Sequence, residues 1–180
     1  MMENLLIRHC APTLAGLKTA NLVNMKRSEA ILCIESCGET LRRKGIETAI
    51  LGERKDSVLL YIYRKNRLSA DLKNSEVTSI LQRFDYESTD VDECIEHLRE
   101  RIAESPCFPH EIGLFLGYPA PDVRGFIEHK GQNFKCMGYW KVYCNECEAL
   151  KTFARYKKCI DVYTRVYHEG TTIDTLTVAV

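Results

Sequence analysis

Apolar residues recur at helical spacing along several stretches of this chain and cluster at strand-like density along others. Ala30, Ile34, Cys37 and Leu41 share one face of a helix predicted from Ser28, a favoured N-cap residue, to about Lys44, with Gly45 as its stop. Asp90 and Glu93 form a capping box in outline before the stripe Val91, Ile95, Leu98 and Ile102. Pro106 and Pro109 follow as the end of that helix. Asn145 and Glu148 repeat the capping signal ahead of the longest stripe, Ala149, Phe153, Tyr156, Ile160, Tyr163 and Tyr167. Shorter helices are expected over residues 5–10, ended by Pro12, over 75–84, and from Asp122, opened by Pro119 and Pro121 and closed by Gly131.

Strand-like runs lie between these helices. Residues 46–51 and 58–63 read as a hairpin across the polar segment 52–57, and the run VLLYIY has the β-branched and aromatic content of a central strand. Residues 111–116 (EIGLFL) and 139–144 (YWKVYC) read as two further strands, and 13–18 (TLAGLK) as a short strand or extended loop. The pattern predicts an α/β fold, with α+β as the alternative. It is expected to be a single domain with a mixed sheet of about five strands, including a hairpin, covered by helices. Residues 1–170 are expected to form that domain, with 171–180 as a tail that is a strand or disordered.

Composition narrows the function. The 180 residues suit one domain, and 45% hydrophobic content is enough for a real core. Lys+Arg and Asp+Glu both total 25, so the basic excess expected of a nucleic-acid binder is missing. No apolar run is long enough to span a bilayer, and the first residues carry no secretory signal. The nine cysteines are then expected to be reduced thiols in a cytoplasmic protein, most of them buried as small apolar side chains.

Three segments carry a resemblance: HCAPTLAGLK (residues 9–18), HEIGLFLGYP with DVRGFI (110–127), and KCMGYWKVY (135–143). Together they resemble an uncharacterised bacterial family, domain-of-unknown-function family 3793, found mainly in anaerobic Gram-positive bacteria. The resemblance implies a small cytosolic protein of an anaerobe, in the company of flavodoxin and ferrous-iron uptake genes. It brings no activity with it, and Cys144 and Cys147 fall outside its pattern.

Several side chains invite chemistry, each with a plainer alternative. Cys10 beside His9 can be a nucleophile if a cation lowers its pKa and a base, such as His110, arrives from elsewhere; otherwise it is a buried cysteine. Gly117, Tyr118 and Asp122 occupy the loop after the predicted strand at 111–116, where α/β proteins bind ligands, although two prolines remove amide donors and Asp122 can cap its own helix. Lys135, Tyr139 and Lys141 interleave cations and aromatics in a way that suits a flat or phosphorylated ligand. Strand alternation sends Trp140 to the opposite, core-facing side. Cys144 and Cys147 form a CxxC at a strand-to-helix junction, with no second pair to complete a zinc site, so incidental placement is the plainer reading. Cys33 and Cys37 read as core, and the tyrosines of the last helix as packing.

The resulting expectation is a protein that binds a small anionic or aromatic ligand or cofactor. Its site would be lined by residues 9–18 with Lys18, the loop 117–122, and residues 135–141. Two alternatives stand beside it: a cysteine-dependent enzyme using Cys10, and a module that docks a flavodoxin-like protein. The sequence names no metal and no particular cofactor.

Overall fold

The computed structural model describes residues 2–104 and 107–179, so the expected role of Pro106 lies outside the described residues. The chain runs α1 (Met2–Leu14), β1 (Ala20–Lys26), α2 (Arg27–Arg43), β2 (Ile46–Arg54) and β3 (Ser57–Arg64). Next come α3 (Lys65–Leu72), α4 (Ser75–Leu81) with a 3-10 turn at Gln82–Phe84, α5 (Val91–Glu104), α6 (Ile112–Phe115) and α7 (Ala120–Glu128). Then follow β4 (Cys136–Met137), β5 (Lys141–Val142), α8 (Glu146–His168) and α9 (Ile173–Leu176). Two compact units result: Met1–Asn66 with Tyr156–Val180, and Arg67–Arg155.

The first unit is built on an antiparallel sheet in the order β1-β3-β2. VLLYIY is its central strand, as its composition predicts. Val58, Leu60 and Ile62 alternate onto one face and join the core with Leu6, Cys10, Leu14, Cys33 and Leu41 from α1 and α2. Tyr61 and Tyr63 turn to the other face, their rings stacked 4.8 Å apart. The hairpin is tighter than the segment 52–57 suggests: Arg54 pairs with Ser57, and Lys55 takes a φ of 50° in the turn between them. β1 feeds directly into α2, so Lys26 rather than Ser28 is the N-cap.

Residues 13–18 are not a strand. α1 continues through Pro12 to Leu14, because Leu6, Ile7, Cys10, Ala11 and Leu14 form one fully buried stripe. A proline in the last turn forfeits one helical bond, which this packing outweighs. The frayed end is gathered by Arg64, only 3% exposed. Its guanidinium donates to the carbonyls of Thr13 and Leu14, both at 2.7 Å, and of Val178 at 2.8 Å. The tail from 171 is also neither strand nor disordered among its described residues. Thr172 caps α9, and Ile173 and Leu176 enter the first unit's core.

The second unit is mostly helical. Asp90 caps α5 as predicted, its Oδ1 accepting from the amides of Asp92 (2.9 Å) and Glu93 (3.2 Å). EIGLFL, expected as a strand, is the short helix α6. Ile112, Gly113, Leu114 and Phe115 are all buried, so the run shows no polar side from which a period could be read. Gly117, at φ 73°, ends α6 in a Schellman turn in which Tyr118 N–H reaches back to Gly113 at 2.9 Å. The strand expected over 139–144 shrinks to β5, which pairs antiparallel with β4. The mixed five-stranded sheet is therefore replaced by an antiparallel three-stranded sheet and a separate two-stranded one.

Candidate functional site

The second unit contains a hollow of about 450 Å³ between the chain at 108–113, α7 and the β4–β5 hairpin. Its walls are aromatic. Tyr118 lies 5.1 Å from Trp140, and Phe153 meets Trp140 edge-on at 4.5 Å from behind. Phe126 forms another wall, and Phe108, Met137 and Tyr139 line the hollow while remaining exposed to solvent. Large apolar side chains left in water around a concave site are a usual sign of a binding surface. Gly138 has to be glycine here, since a Cβ would run into the ring of Phe153.

Two basic groups join the lining. The edge of the His110 ring meets Phe126 at 5.1 Å, and Lys141 Nζ lies 5.7 Å from the same ring and 4.8 Å from Phe134. Lys141 gives one proton to the Gly131 carbonyl at 2.8 Å, which fixes the ammonium in place. An ammonium has two further donors to offer a ligand. The lining of the hollow thus holds a Tyr118–Trp140 pair and, against Phe126, the two basic side chains.

Asp122 lies in the wall but is already engaged. Its carboxylate is 3% exposed; Oδ2 accepts from Trp140 Nε1 at 2.8 Å, and Oδ1 from the amides of Tyr143 (2.8 Å) and Cys144 (2.9 Å). It does not cap its own helix, as the sequence suggested, but ties the segment carrying Trp140 to the first turn of α7. Lys135 is similarly engaged, giving its ammonium to the Cys144 carbonyl at 2.8 Å, and Gly117 is the stop of α6.

Of the residues expected to bind the ligand, Tyr118, Asp122, Tyr139 and Lys141 line this hollow, and so does His110, the base expected to serve Cys10. Cys10, His9 and Lys18 belong to the first unit. Cys10 is wholly buried, and burial pushes its thiol up to about 12, against a smaller opposite effect of Lys18. Such a group stays protonated at neutral pH, so it lacks the thiolate a nucleophile needs. His9 precedes it on α1 but is exposed, because successive side chains of a helix point in different directions. Lys18 is 4% exposed, and burial lowers its amine to about 8 although nearby Cys10 acts the other way.

The sequence reading passes over Phe108, Phe126 and Met137 and assigns Trp140 to the core alone. A signal for them exists: five of the six phenylalanines and the single tryptophan fall between residues 108 and 153. Among the described residues no group of three or more His, Cys, Asp or Glu is placed to hold a metal ion. No described helix is long and apolar enough to cross a membrane.

Fold and hollow together define an α+β protein with a cavity lined by aromatic and basic side chains. A family model described as protein of unknown function (DUF3793) matches residues 6–177, and the chain belongs to that family. No curated protein and no solved structure matches it.

Proposed function

We propose that the second unit binds a small, flat aromatic molecule bearing an anionic group. Its ring would lie against Tyr118 and Trp140, and its anion would point to Lys141 and His110. The reading rests on one observation above all: a hollow of about 450 Å³ whose lining combines aromatic side chains with an ammonium fixed to a main-chain carbonyl. That volume lies in the usual range for small-molecule sites, where a few placed polar groups set orientation within apolar walls. Stacking supplies affinity with little geometric demand, and the cation discriminates by charge.

Calorimetric titration with 2-naphthoate and its neutral amide tests both contacts. The acid is expected to bind about tenfold more tightly than the amide, a difference of about 1.4 kcal/mol. Lys141→Met should equalise the two while leaving the amide's affinity in place. Quenching of Trp140, the chain's only tryptophan, should accompany both titrations. Binding of neither compound would remove the site, and equal affinity of the unmodified protein for both would remove the cationic contact.

A further inference from the structure

The CxxC of Cys144, Asn145, Glu146 and Cys147 lies outside the walls of the hollow. Both cysteines are exposed, whereas Cys10, Cys33, Cys37, Cys94 and Cys159 are buried. Cys144 stands just before α8 and Cys147 in its first turn. The Glu146 amide donates to the Cys144 carbonyl at 3.2 Å, folding the chain tightly between the two thiols. Cys144 lies outside the helix, and the two residues between the thiols give the spacing of the Cys-X-X-Cys motifs that carry thiol–disulfide exchange.

Two ammonium groups stand close to the pair. Lys135 Nζ donates to the Cys144 carbonyl at 2.8 Å, and Lys151 stands beside the Cys147 sulfur while bonding Glu148 at 2.8 Å. Glu146, the one acid between the cysteines, hydrogen-bonds instead to Cys136. The start of a long helix adds the positive end of its dipole.

We propose that Cys144 and Cys147 form a reversible dithiol–disulfide couple that exchanges with a low-molecular-weight or protein disulfide. The thiolate of one cysteine attacks a sulfur of the incoming disulfide, whose S–S bond breaks to release one partner thiolate and leave a mixed disulfide. The second cysteine's thiolate then attacks the bound sulfur of the pair, closing the 144–147 bond and releasing the other partner thiol. Two electrons and two protons pass from the cysteines to the oxidant. The couple is linked to the hollow through one carboxylate, since the Cys144 amide and the Trp140 indole both donate to Asp122. Tryptophan emission is therefore expected to shift with the state of the couple.

The test equilibrates the full chain, without oxygen, in mixtures running from reduced to oxidised glutathione. Acid quenching, alkylation and peptide mass mapping follow. The expected result is joint loss of both alkylatable thiols from the 144–147 peptide, restored by reduced glutathione, with Cys10 and Cys33 untouched. Cys147→Ser should instead leave a glutathione adduct on Cys144. The proposal is overturned if both thiols survive the most oxidising mixture, if each ends as a separate adduct, or if either pairs with Cys107 or Cys136.

Discussion

Asp122 shows how one side chain can stand in the wall of a cavity with its hydrogen-bonding capacity already committed. Three donors converge on its two oxygens, two of them main-chain amides and the third the indole of Trp140. Charge-assisted bonds of this kind are stronger than neutral ones, and truncation leaves buried donors without partners. Asp122→Ala is therefore expected to lower stability by about 3 kcal/mol in urea unfolding. Trp140 emission should move to the red in the folded variant, as its N–H turns to water. An unchanged midpoint together with unchanged emission would show that the carboxylate is not the tie described. The sequence made Asp122 legible as a polar residue at a helix start, but not its partners, which lie 18 to 22 residues further along. Lys141 differs: its bond to Gly131 fixes the ammonium without exhausting it.

At the scale of elements, long amphipathic segments and the β-branched run of β3 were readable, and the fully buried run EIGLFL was not. The stripes of α2, α5 and α8, the central position of β3 and the cap at Asp90 follow from spacing and local chemistry. EIGLFL does not, because a run buried on every side carries no period; its identity as a helix is set by what surrounds it. The end of α1 depends on a residue 50 positions away, Arg64, whose fork takes up carbonyls that helix geometry leaves bare. Nothing local in HCAPTLAGLK announces that partner. Arg64→Met should leave the Thr13 and Leu14 carbonyls with only the amides of Gly16 and Val178 as donors, take the guanidinium from the Val178 carbonyl, and cost about 3 kcal/mol. Arg64→Lys should recover little of it, since a single ammonium cannot span three acceptors as a planar fork does. Thermal unfolding followed by circular dichroism measures both; a lysine variant as stable as the parent would refute the clasp.

For the whole molecule, the residues expected to share one site fall in two compact units. The aromatic hollow belongs to the second unit, and the Cys10 and Lys18 cluster to the first, where it is core rather than surface. Burial of Lys18 and of thiols in both units has a consequence for pH. Burial pushes the thiols of Cys10 and Cys33 up to about 12, and those of Cys94 and Cys159 up to about 11, from 9.0. From pH 9 upward the unfolded chain gives up these protons while the folded chain keeps them, so stability falls as pH rises towards 11. Lys18 works in the opposite sense. Its amine is lowered from 10.5 to about 8, so between those values the unfolded chain holds the extra proton and stability rises with pH. One amine acts alone from about pH 8 to 9, and is then outweighed by four thiols. Each differs by at most about 1.4 kcal/mol per pH unit. Urea midpoints should therefore change little, or rise slightly, from pH 8 to 9 and drop clearly by pH 10.5. Replacing Cys10 and Cys33 together with alanine should flatten the drop without altering the shallow rise. A midpoint that holds steady to pH 10.5 would mean these thiols ionise as freely in the folded chain as in the unfolded one, and their place in the core would have to be abandoned.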